Sequence, residues 1–62
     1  MTKLEFKAEV KKQLMLRSWT YKELSQETGY TQRSLQVIMS DDAKLSKPAI
    51  NKIAQALGIN PE

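Results

Sequence analysis

Gln32, Arg33 and Gln36 stand within five consecutive positions, with Thr31 and Val37 at their borders. The three longer polar side chains each end in paired hydrogen-bonding groups. A glutamine amide sets a donor beside an acceptor, which matches N6 and N7 of adenine, and a guanidinium forks onto O6 and N7 of guanine. A good bidentate contact of this kind discriminates between bases by about 1–3 kcal/mol, and Val37 is apolar enough to meet a thymine methyl. The same residues would also suit an ordinary solvated helix face. What favours base reading is whether the flanking chain holds these side chains out toward a partner.

The flanking chain reads as two short helices hinged at a glycine. Thr20 with Glu23 has the spacing of a capping box and opens helix 2. Gly29 ends that helix where the chain must turn sharply, since a positive φ is cheap only for glycine. Thr31 then caps helix 3, which the pattern places at about Thr31–Met39. Leu35 and Ile38 lie three apart on one face, while Gln32, Arg33 and Gln36, with Val37 and Ser40, lie on the other. Leu24, Tyr30, Leu35 and Ile38 are expected to close on one another, with Ser25 small enough for the two backbones to approach. Two short helices joined by such a turn have the layout of a helix-turn-helix, so the first functional expectation is sequence-specific binding of DNA.

Two further helices should support this pair. Thr2 with Glu5 is a second capping-box pattern, after which Phe6, Val10 and Leu14 recur every fourth residue, so helix 1 is expected from about Lys3 to Leu16. Leu4, Ala8 and Met15 are expected to broaden its apolar stripe. Lys7 with Lys11, and Glu5 with Glu9, are repulsive pairs at four-residue spacing, so this helix must rely on packing. Trp19 reads as a core plug where helices 1 and 2 diverge. Beyond helix 3, Ser40 to Leu45 reads as a polar loop. Ser46 is the N-cap of helix 4 and Pro48 sits in its first turn, where the missing N–H costs nothing. Ile50, Ile53, Ala54 and Leu57 form its apolar face and Gly58 its stop. Asn60, Pro61 and Glu62 look like the start of a fifth helix, which leaves two expectations: a chain cut before that helix, or a natural end.

Composition narrows the classes of function. A chain of 62 residues makes one domain, here expected to span 1–62, and a domain of that size buries about 60% of its unfolded surface. There is no cysteine and no histidine, so disulfides are excluded and a metal site lacks its usual nitrogen and sulfur ligands. An enzyme is not expected: Asp41 and Asp42 are adjacent rather than facing across a cleft, and no Gly-rich phosphate loop is present. No cofactor or small-molecule ligand is evident. The N-terminus mixes Lys3, Glu5, Lys7 and Glu9 with Leu4, Phe6 and Val10, which is neither a signal peptide nor a membrane span. A membrane-surface role for helix 1 is disfavoured by Glu5 and Glu9. Ten Lys and Arg against seven Asp and Glu give a formal charge of +3, a weak preference for an anionic partner.

The chain resembles the lambda repressor-like and Cro-like helix-turn-helix regulators, including the short phage repressors. The resemblance runs from about Phe6 to Glu62. It rests on Phe6, Val10 and Leu14; on Trp19-Thr20 leading into Glu23-Leu24-Ser25; on Thr28-Gly29-Tyr30-Thr31; on Leu35 with Ile38; and on the tail Ile53 to Ile59. It implies an all-α fold, a compact bundle of four or five short helices. It also implies a transcriptional regulator, most simply a phage-type or prophage-type repressor working in the cytoplasm, of the host if phage-encoded. In that family the N-terminal part of the second motif helix enters the major groove of double-stranded DNA. The carry-over of base readers falls on Thr31, Gln32, Arg33 and Gln36, with Val37 a plausible addition. Phosphate contacts carry over to Tyr21 and Lys22 at the start of helix 2, and to Lys44, Ser46 and Lys47 before helix 4. Two departures stand out. Asp41 and Asp42 occupy the place where many relatives have a glycine, and would repel phosphate unless they point away or cap the next segment. Of the fifth helix on which many relatives rely for dimerisation, residues 1–62 show only the start suggested by Asn60, Pro61 and Glu62. If a homodimer forms, its recognition helices should sit about 34 Å apart on an inverted repeat, and Leu57 and Ile59 are interface candidates unless they are core. The competing reading is a protein-interaction module, such as an antitoxin or docking domain, using the same exposed helix against protein.

Overall fold

Every α-helix among the described residues begins at a hydroxyl. Thr2, Thr20, Thr31 and Ser46 each lie in extended backbone just ahead of a helix. Their oxygens accept from Glu5 N at 3.1 Å, Lys22 N at 3.2 Å, Ser34 N at 3.0 Å and Ala49 N at 3.4 Å. Each bond satisfies one of the amides that a helix start leaves without an internal partner. The computed structural model describes residues 1–61, Asp42 by its backbone alone. It contains α1 (Lys3–Arg17), α2 (Tyr21–Thr28), α3 (Gln32–Ser40) and α4 (Lys47–Leu57), with a 3-10 turn over Asp42–Lys44 between the last two. The fold is all-α, with no strand among the described residues. Asn60 and Pro61 do not form a helix; Glu62 lies outside the described residues.

The core forms where α2 packs on both α3 and α4 while α1 packs on α4. Phe6, Val10 and Leu14 of α1 meet Leu24 of α2, Leu35, Ile38 and Met39 of α3, and Ala49, Ile53, Ala54 and Leu57 of α4. Tyr21, Tyr30, Ile50 and Ile59 pack at its edge. Two core residues lie outside the apolar faces expected above, although Met39 continues the Leu35 and Ile38 face at i+4. Leu45, placed by its polar neighbours in a loop, is fully buried, and Met39 is buried with it. The chain leaves α3 at Asp41 in extended backbone, with φ −129°, and folds back through the 3-10 turn, which carries Leu45 into the core.

Two expectations about packing are corrected and one alternative is decided. Leu4, Ala8 and Met15 do not broaden the buried stripe; they are exposed on another face of α1. The reason is angular, since at about 100° per residue they lie roughly 140° around the helix from Phe6, Val10 and Leu14. Of the two alternatives open for Leu57, the core is the one taken, as its place on the apolar face of helix 4 implies: it is 1% exposed, and Ile59 is half-buried. Trp19 is half-buried at the core's edge instead of plugging it, with the Arg17 guanidinium 5.2 Å above its ring. Arg17 also donates to the Leu57 carbonyl at 2.8 Å. One side chain thus satisfies a C-terminal carbonyl of α4 and ties it to the end of α1.

Candidate nucleic-acid interface

The turn between α2 and α3 aims everything that follows. Gly29 takes φ +82°, and its N–H donates to the Ser25 carbonyl at 2.8 Å. The Thr28 hydroxyl is buried, donates to the Leu24 carbonyl at 2.8 Å and accepts from Tyr30 N at 3.3 Å. The turn is therefore hydrogen-bonded internally on both sides of the glycine, which fixes the angle at which α3 leaves.

On α3, Leu35, Ile38 and Met39 face inward, and Gln32, Arg33, Gln36 and Val37 are all exposed. The outward residues split into two flanks. Arg33 and Val37 line a groove of about 440 Å³ with Tyr30, Thr31, Ser34, Ile38 and Lys44. Gln32 and Gln36 do not line it and lie toward the other side of the helix, about 60–140° away around the axis. Ser34 and Tyr30 were not foreseen as part of this surface. The spacing of Ser34 to the capping Thr31 was the signal available, because the two side chains share a hydrogen bond.

Thr31 differs from its neighbours. Its hydroxyl accepts from Ser34 N at 3.0 Å and donates to Ser34 Oγ at 2.9 Å, so its proton is committed to the cap. What it offers outward is a methyl group and one remaining lone pair.

The two helix starts named for phosphate lie outside the groove, and both are partly used up by their caps. At α2, Lys22 N bonds the Thr20 oxygen, and Glu23 accepts from Thr20 N at 2.7 Å and from the Thr20 hydroxyl. The Thr20 hydroxyl, and after it the Thr20 N–H, holds the Glu23 carboxyl below its usual range, so the carboxylate stays charged beside Lys22. At α4, Ala49 N is taken by Ser46 and Pro48 has no N–H to give. The first helical amides, those of Tyr21 and Lys47, are the donors that neither cap takes, and each has a lysine ammonium at hand in Lys22 or Lys47.

Asp41 accounts for its own part of the first departure. Its carboxylate accepts from Ala43 N at 3.0 Å and its carbonyl from Lys44 N at 2.9 Å. It caps the 3-10 turn, as an Asx turn does. Glycine is not required there because the backbone exits α3 at negative φ. The Asp42 side chain lies outside the described residues.

A family model described as helix-turn-helix matches residues 10–62. The chain belongs to that family, of the lambda repressor and Cro type. Membership makes it a DNA-binding regulator of transcription by class, with double-stranded DNA as the implied partner. No curated protein and no solved structure matches it. In this helix-turn-helix chain no helix among the described residues is long and apolar enough to cross a membrane. Nor do three or more of its described His, Cys, Asp or Glu residues cluster where a metal could be held.

Proposed function

We propose that residues 1–62 form a single domain that binds double-stranded DNA sequence-specifically as a repressor of phage or prophage type, acting in the cytoplasm. The observation that carries this reading is the outer face of α3, where Gln32, Arg33, Gln36 and Val37 are exposed together while the opposite face is locked in the core. A helix with side chains is about 10–12 Å across and the major groove about 12 Å wide, so α3 enters it edge-on with these residues leading. Gln32 and Gln36 read adenine, Arg33 reads guanine, and Val37 with the Thr31 methyl meets a thymine methyl. Tyr21 and Lys22 on one side, and Lys44, Ser46 and Lys47 on the other, grip the flanking phosphates and set the register. Two copies would present α3 at a spacing of about 34 Å to an inverted repeat.

Selection of bound duplexes from a random pool, with competitor DNA and at several salt concentrations, tests the reading. A motif should emerge, and Arg33→Ala should relax it at one base position. A pool with no enriched motif, together with binding that neither Gln32→Ala nor Arg33→Ala alters, would overturn it in favour of a protein-docking role for the same helix.

A further inference from the structure

No acidic residue lines the groove beside α3. Its cations come from two elements, Arg33 from α3 and Lys44 from the 3-10 turn, and Ser34 shares it with them. A second groove, of about 280 Å³ between α2 and α4, is different: Glu27 lines it with Lys52, and the Thr28 hydroxyl there is spent on the Leu24 carbonyl. Ser34 is half-buried, and its hydroxyl proton has no acceptor among the described residues. Its Oγ accepts the Thr31 hydroxyl proton at 2.9 Å, which leaves its own O–H to give. Receiving one hydrogen bond also strengthens the one that a hydroxyl donates. Arg33, Lys44 and Ser34 therefore all offer donors to one groove, a lining suited to an anion.

The place of Ser34 on α3 selects the anion. At about 100° per residue, Gln36, Arg33, Val37 and Ser34 follow one another in that order around the helix axis. Arg33 and Val37 stand opposite the mean direction of the buried Leu35, Ile38 and Met39, so they lead toward the floor of a major groove about 12 Å wide. Ser34 lies roughly 90° from that leading direction, on the flank it shares with Lys44. There a helix about 10–12 Å across meets the wall of the groove rather than its base edges. The wall is sugar and phosphate, and contacts to it fix register without reading sequence.

We propose that this groove seats one backbone phosphate of the bound duplex, the Ser34 hydroxyl donating to it beside the Lys44 ammonium while the Thr31 hydroxyl holds Ser34 in its donating orientation. The proposal rests on the DNA reading and deepens it: Ser34 is a positioning residue that sets the register of α3, and Arg33 stays available to guanine. Ser34→Ala keeps the cap, because the bond from Ser34 N to Thr31 Oγ is made by the main chain, and its circular dichroism should match the parent. The test uses the duplex chosen by selection, with methylphosphonate replacing one phosphate at a time and so removing its charge. At one linkage the replacement should weaken the parent about ten-fold, as the loss of a hydrogen bond to a charged group does. At that linkage it should weaken Ser34→Ala by no more than about two-fold, since the hydroxyl and the phosphate act as a pair. Lys44→Gln should couple to the same linkage, Ser34→Thr should behave as the parent, and Ser34→Ala should leave the preferred bases unchanged. Inorganic phosphate should shift the Ser34 amide no more than chloride of equal ionic strength does. A selected motif with no linkage coupled to Ser34 would overturn the proposal and leave the DNA reading standing, whereas failure to select any motif would remove both. A change of base preference in Ser34→Ala would make the serine a base reader, and saturable binding of inorganic phosphate would make the groove a site for a free anion; either overturns the proposal.

Discussion

The first and third helices are alike on the inside and opposite on the outside. Inward, α1 presents Phe6, Val10 and Leu14 and α3 presents Leu35, Ile38 and Met39, all buried. Outward, α3 shows Gln32, Arg33 and Gln36 with Val37, and α1 shows Leu4, Ala8 and Met15 among lysines. The inward residues determine where each helix lies. The difference between the two helices lies on the other side.

The sharpest way to break that division is to truncate both sides of both helices. Phe6→Ala and Leu35→Ala should cost about 3–5 and 2–5 kcal/mol of stability. A domain of this size holds only about 3–9 kcal/mol in all, so either variant sits near unfolding at room temperature. Leu4→Ala and Gln36→Ala should stay within about 0.5 kcal/mol of the parent. Urea melts compare the four directly. If Leu4→Ala cost as much as Leu35→Ala, the outward row of α1 would be structural after all.

Much of this arrangement was legible in the residues, because helix ends are local chemistry. Thr2 with Glu5, Thr20 with Glu23, Thr31, Ser46 and the glycines at 29 and 58 place the boundaries to within a residue or two. The outer face of α3 followed as the complement of Leu35 and Ile38. What periodicity could not do was choose between two apolar stripes on α1, since both repeat at helical spacing and only the neighbours of α1 decide which is buried. Leu45 was invisible for a related reason. A lone leucine among polar residues has no period, and its burial comes from the path of the 3-10 turn behind α3. For Asp41 the residue type allowed either a cap or a carboxylate turned away, and only the backbone, which places Ala43 N beside its carboxylate, decides between them.

Next in size is the effect on DNA. Arg33→Ala should cost about 1–3 kcal/mol at one base position and little elsewhere. Lys47→Ala should weaken all sequences alike and make the log–log salt slope shallower by roughly 0.9. Binding isotherms over a set of single-base operator variants separate the two. A uniform loss on Arg33→Ala would move that side chain from the base edges to the phosphates, leaving Gln32 and Gln36 as the readers on α3.

The ends of the helices extend the comparison. α1 finishes at Ser18 with φ 55°, and α2, which launches α3, finishes at Gly29 with φ 82°. Nothing lies within 4 Å of a Cβ added at Gly29, so Gly29→Ala meets only the backbone penalty of the left-handed region, about 1–2 kcal/mol. Ser18 already bears that penalty. Ser18→Gly should therefore raise stability, by less than about 1 kcal/mol because glycine also enlarges the unfolded ensemble. Thermal melts of the two variants should move in opposite directions, and a destabilised Ser18→Gly would mean the serine contributes something its backbone angle conceals.

The smallest effect is acid sensitivity, and it too separates α1 from α3. The start of α1 carries Glu5, whose carboxyl the Thr2 N–H, and after it the Thr2 hydroxyl, holds below its usual range; the start of α2 carries Glu23 under similar control. The first turn of α3 has no acidic residue. A carboxyl with a lowered folded pKa binds protons less readily in the native state. Its stabilisation is therefore complete above the unfolded value, about 4.3 for glutamate, and is lost as pH falls through the lowered folded value. The two boxes should answer mutation differently. Thr20→Ala removes the hydroxyl, the larger influence on Glu23, whereas Thr2→Ala leaves the main-chain N–H that dominates at Glu5. Carboxyl titration by NMR should thus find Glu23 recovering more of its ordinary pKa in Thr20→Ala than Glu5 does in Thr2→Ala. On acidification, amides at the starts of α1 and α2 should lose hydrogen-exchange protection before those at the start of α3, where Thr31 and Ser34 hold the cap with groups that do not titrate.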